Sequence, residues 1–69
     1  MNKVVYEGVA IGSIRESEAG YEGYNPSGVL VLEDSSLPKV YKALCKNACT
    51  SGLLKMVRPG IYKPSVNSP

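Results

Sequence analysis

Residues 35–63 constrain this chain most. SSLPKVYKALCKNACTSGLLKMVRPGIYK reads as one helix followed by one tight hairpin, and it holds no acidic residue. Ser35 and Ser36 offer N-cap hydroxyls, and Pro38 falls in the first turn, where its missing N–H is tolerated. Thr50 and Ser51 lead into Gly52, which suits the left-handed position that closes helices. Between these signals Leu37, Val40, Tyr41, Leu44, Cys45 and Ala48 recur at i, i+3, i+4, i+7, i+8 and i+11, the single apolar stripe of a helix. The spacing predicts a helix over residues 36–51. Beyond Gly52 the period changes. Residues 53–57 fit a strand, Pro59-Gly60 fits the central pair of a type II turn, and residues 61–63 fit the returning strand. This predicts a β-hairpin over 53–63. Pro64 is expected to end the pairing, and residues 65–69 read as a flexible tail.

Sixty-nine residues suffice for one small domain, placed at 1–64. A chain this short buries only about 60% of its unfolded surface. It also lacks Trp and Phe, and its two cysteines cannot build a disulfide scaffold. A homodimer that completes the core is therefore expected. The opening Met1-Asn2-Lys3-Val4-Val5-Tyr6 is interrupted by Glu7 and Gly8, so no secretory leader is read there. No stretch approaches the roughly 20 apolar residues of a membrane span. The expected setting is the cytoplasm, with both thiols reduced and no membrane partner.

The first half is less regular. Val4, Tyr6, Val9 and Ile11 suggest strand character with a bend or bulge at Gly8 and Gly12. Residues 15–19 read as a turn or a single helical turn, and residues 20–28 (GYEGYNPSG) as a loop. Residues 29–32 (VLVL) form a continuous apolar run, the pattern of a strand covered on both faces. The triplet Tyr-Glu-Gly at 6–8 and again at 21–23 raises a repeated hairpin corner. The predicted order is strand, loop, strand, helix, strand, strand. The expected fold class is α+β, a small, mostly antiparallel sheet with one principal helix.

Charge divides the chain. Residues 1–34 hold two cations against six carboxylates, whereas residues 35–69 hold six cations and no carboxylate, for the overall +2. Such asymmetry points either to a polyanion partner or to attraction between the halves, within one fold or across a dimer. Lys39, Lys42 and Lys46, at i, i+3 and i+7, fall on one helix face away from the apolar stripe. That row is either a phosphate-docking face or a solvated one.

Chemistry of other kinds finds little support. There is no histidine, the commonest general base and metal ligand near neutral pH. No phosphate-cradling glycine loop and no nucleophile elbow occurs, and no nucleophile–base pair can be assembled. No enzyme activity and no cofactor or metal is expected. Cys45 and Cys49, one helical turn apart, read as small core hydrophobes, the alternative being a four-thiolate site shared across a dimer. Of the five tyrosines only Tyr62 lies among basic residues, so base stacking has one candidate.

Val40-x-x-Ala43-Leu44, Gly52-x-Leu54 and Gly60-x-Tyr62 together resemble the recognition helix and wing of winged-helix DNA-binding domains, most nearly the short ones of antitoxins and small regulators. The resemblance implies helix contacts to DNA from Lys39, Lys42, Lys46 and Asn47, and wing contacts from Lys55, Arg58 and Lys63. Winged-helix domains place two helices before the recognition helix, whereas residues 1–34 read as strands and loops. Gly28-Val29-Leu30-Val31, Lys42-Ala43-Leu44 and the closing hairpin are similar in turn to the swapped-hairpin regulators of the AbrB type, which are obligate dimers. Both resemblances imply DNA binding and transcription regulation. The competing expectation is a protein-interaction module that engages a partner through the acidic half or an exposed strand edge.

Overall fold

The structure is a computed structural model and describes residues 1–65. It is α+β, as expected. Four strands come first: β1 (Asn2–Tyr6), β2 (Val9–Ser17), β3 (Gly20–Tyr24) and β4 (Leu30–Asp34). They form an antiparallel meander in the order β1-β2-β3-β4. The helix α1 (Leu37–Thr50) then crosses one face of that sheet, and β5 (Leu54–Arg58) and β6 (Ile61–Pro64) pair as a separate two-stranded sheet.

The punctuation of the second half is realised residue by residue. Ser36 caps α1, its hydroxyl accepting the Lys39 N–H. At the far end the Leu53 N–H reaches the Ala48 carbonyl at 2.8 Å and the Gly52 N–H reaches Cys49 at 3.1 Å. This double closure requires the positive φ of 82° at Gly52. Pro59 and Gly60 are the two residues between the paired Arg58 and Ile61.

The first half differs from its expected organisation in four places. Residues 20–24 are not loop but β3, whose side chains alternate in direction like any strand. Only residues 25–29 turn, held by Asn25, whose Oδ1 accepts the Ser27 and Val29 N–H groups. Residues 15–17 continue β2, leaving Glu18 and Ala19 as the turn. The apolar run at 29–32 is not covered on both faces: Val29 and Leu30 are exposed and Val31 and Leu32 only half-buried, on a strand that lies at the sheet edge. The two Tyr-Glu-Gly triplets are not equivalent corners: one enters the β1–β2 turn and the other lies inside β3.

One core joins all of this. Val4 and Ile11 of the sheet, Leu44, Cys45 and Ala48 of α1, and Leu54 and Tyr62 of the hairpin pack as a single cluster. A fully buried leucine such as Leu54 contributes about 1.5–3 kcal/mol, so the hairpin base is anchored rather than appended. The Tyr6 hydroxyl adds a 2.9 Å hydrogen bond to the Tyr62 carbonyl, and the two rings meet edge to face with centroids 6.5 Å apart. Ser65, expected in the tail, donates its N–H to the Leu53 carbonyl; the rest of that tail, 66–69, lies outside the described residues.

Candidate nucleic-acid interface

The orientation of α1 follows from which residues it buries. Val40, Leu44, Cys45 and Ala48 face the sheet and hairpin. At about 100° of turn per residue, Lys39, Lys42 and Lys46 then average about 170° from that buried side. The row therefore occupies the outermost face of the helix, and all three lysines are exposed. Lys39 and Lys46 stand about 10 Å apart along the axis. The side chains that share this face, Ala43 and Thr50, are small, and Thr50 folds its hydroxyl back onto the Lys46 carbonyl. Lys39 sits in the first turn, where the helix dipole disfavours a cation. Stabilisation of the helix thus does not account for its position.

Neutralisation by the chain's own acids is limited. Among the described residues the ion pairs are Arg15–Glu22 at 2.5 Å and Lys63–Glu7 at 4.0 Å. Among the described residues, Lys39, Lys42, Lys46, Lys55 and Arg58 consequently have no carboxylate within that range. On the hairpin, Lys55 and Lys63 are direct cross-strand partners. Like charges so placed repel, and the long, exposed contact to Glu7 relieves only one of them. Arg58 stands at the mouth of the turn.

The other expected contacts are placed differently. Asn47 is half-buried and its Oδ1 is buried with no hydrogen-bond partner among the described residues, which separates it from the lysine row. Leu37 and Tyr41, expected on the buried stripe, are exposed at its N-terminal end. Tyr62 is in the core, so the tyrosine nearest the basic residues offers no free face for stacking. Both cysteines are free thiols; Cys45 is buried, and burial pushes its pKa up.

Sequence reasoning missed one polar cluster. On the sheet face away from α1, Arg15 Nε and Nη2 both donate to Glu22 Oε1, and the Tyr24 hydroxyl donates to the same oxygen at 2.6 Å. The hydrogen bond from Tyr24, followed by that from Arg15, holds the Glu22 carboxyl below its ordinary pKa, while the same contacts raise those of Tyr24 and Arg15. Arg15 and Glu22 are seven positions apart and face one another only because the Glu18-Ala19 turn sets the register. With 20–24 read as loop, that pairing had no signal.

No protein family, no curated protein and no solved structure matches this chain. The functional reading rests on the residues and their placement.

Proposed function

We propose that this protein is a small DNA-binding regulator that grips the phosphate backbone through Lys39, Lys42 and Lys46, with Lys55, Arg58 and Lys63 of the hairpin as a second group of contacts. The observation that carries the reading is the lysine row itself: outward-facing, interleaved with small side chains, without carboxylate partners among the described residues, and with Lys39 set against the helix dipole. A lysine row about 10 Å long on the outermost face of a helix can lie along the phosphate backbone, whose contacts fix position without reading sequence. Two reduced thiols suit a cytoplasmic setting.

The affinity would be electrostatic and therefore salt-dependent, with log K falling by about 0.9 per log unit of salt for each phosphate neutralised. The test is a salt titration of duplex binding by wild-type protein and by the K39A/K42A/K46A variant. The variant is expected to bind every duplex more weakly and to lose about two to three units of slope.

One observation favours a second reading, a protein-interaction module. Among the described residues β4 pairs with β3 alone, and Val29 just before it and Leu30 within it are exposed, the kind of edge an extended peptide extends by strand addition. Capture of one protein partner that survives nuclease treatment, together with no retardation of duplex at low salt, would select this reading over DNA.

A further inference from the structure

The two ends of the molecule are complementary. The chain is elongated, 44 Å in its longest dimension. At one end the β5–β6 hairpin presents Met56, Val57 and Ile61, 58%, 50% and 47% exposed, beside Lys55 and Arg58. Its base is fixed to the β1–β2 turn through Tyr6–Tyr62 and Glu7–Lys63. From that turn β2 runs nine residues to the opposite end, a distance of about 30 Å at the usual strand rise. There the Glu18-Ala19 turn, the end of β4 and the start of α1 come together, and Glu16, Glu18, Glu33 and Asp34 are concentrated.

From this acidic end along β1 to Val5, between the first turns of α1 and the β1–β2 pair, runs an open groove of about 500 Å³. Val5, Ile14, Tyr21, Leu37 and Tyr41 line it, and Glu16 stands on its rim. Leu37 and Tyr41 belong to the apolar stripe of α1, yet they remain 42% and 37% exposed. Lys3 of β1 also borders the groove, so Glu16 and the adjoining Glu18 are what give this end its negative character. The hairpin tip is thus an apolar knob with cations, and the groove an apolar hole bordered by one carboxylate, Glu16, and one cation, Lys3, with Glu18 in the adjoining turn. Both unsatisfied surfaces belong to a chain whose own core is small.

We propose that the groove receives the β5–β6 hairpin tip of a second copy of this chain, with two copies lying antiparallel so that each fills the other's groove. A two-fold arrangement satisfies both contacts at once and leaves no open end, whereas a head-to-tail arrangement would propagate. Met56, Val57 and Ile61 enter against Leu37 and Tyr41, and Arg58 meets Glu16. The lysine row on the far side of α1 takes no part, so its DNA contacts and the dimer are tested separately; Arg58, by contrast, is withdrawn from DNA wherever it meets Glu16 of a second copy.

Sedimentation velocity and equilibrium of the purified full chain, without nucleic acid, test this. Wild-type protein is expected to be dimeric at high micromolar concentration. V57D on the knob and L37K in the hole each change an exposed side chain, and each is expected to weaken dimerisation at least tenfold with unchanged circular dichroism and melting. E16R and R58E should each weaken it, and the E16R/R58E double variant should recover most of the loss. A wild-type monomer would overturn the proposal. So would a dimer indifferent to V57D and L37K, as strand addition at β4 would give, and so would concentration-dependent growth beyond two chains. If a single charge reversal weakens the dimer and the double variant does not restore it, the Arg58–Glu16 contact is wrong and the docking geometry falls with it.

Discussion

Gly23 of β3 lies directly beneath Val40 of α1: a Cβ at Gly23 would stand 2.6 Å from Val40 Cγ1. The missing side chain lets the helix settle onto the sheet, with Leu44 beside it and Ile14 and Leu32 on the neighbouring strands at the same level. The rotation of α1 is set there, and with it the outward direction of the lysine row.

Replacing Gly23 with Ala is accordingly expected to destabilise the fold by about 1–3 kcal/mol, the usual cost of overpacking. Urea unfolding of the purified variant measures this. A neutral or stabilising G23A would mean that the helix is not held at this distance.

The hairpin depends on Tyr6. Y6F keeps the ring against Tyr62 and removes only the hydroxyl that bonds its carbonyl, so a loss of about 0.5–1.5 kcal/mol is expected. Faster amide hydrogen exchange in β5 and β6 than in β2 and β3 would accompany it. Equal acceleration everywhere would argue against a local tether.

Stability should fall at both ends of the pH scale, for different reasons. The Glu22 carboxyl is held below its ordinary pKa, so the folded chain takes up that proton less readily than the unfolded one. Its contribution is complete above the ordinary carboxylate range and disappears as pH falls through the lowered value. E22Q should flatten that acid limb. Cys45, Tyr24, Tyr41 and Tyr62 are shifted upward, Tyr24 first by its bond to Glu22 and the others first by burial. Their contributions are complete below the ordinary thiol and phenol values and are lost as pH rises through the raised ones. Thermal melting across pH, with and without E22Q, checks both limbs.

The two thiols should separate under an alkylating reagent. Cys49 is half-buried and is expected to react in the native protein, whereas Cys45, 3% exposed in the core, should wait for unfolding. Mass spectrometry of partly alkylated protein distinguishes them, and equal rates would contradict the packing of α1.

Where local chemistry decides structure, the chain was legible. Ser36, Pro38 and Gly52 bound the helix, and Pro59-Gly60 makes its turn, because capping and turn geometry are properties of a few adjacent residues. β3 was hidden for the opposite reason. Gly23 answers to Val40, a contact made across 17 positions, and Gly20 to the backbone of Asp34 and Ser35, neither of which a local pattern records. Exposure of β4 was hidden too, since VLVL looks the same at an edge as in the middle of a sheet. For the candidate site, the row of Lys39, Lys42 and Lys46 was visible from helical spacing alone. The inward turn of the Asn47 oxygen depends on how α1 lies on its neighbours, and spacing does not contain that.

The most direct test of the central claim is the salt dependence of duplex binding by wild-type protein and by K39A/K42A/K46A, in one buffer series. The account predicts retardation of duplex DNA at low salt, a steep loss as salt rises, and a slope shallower by about two to three units in the variant. Absence of retardation at low salt, or an identical slope in the two proteins, would contradict it.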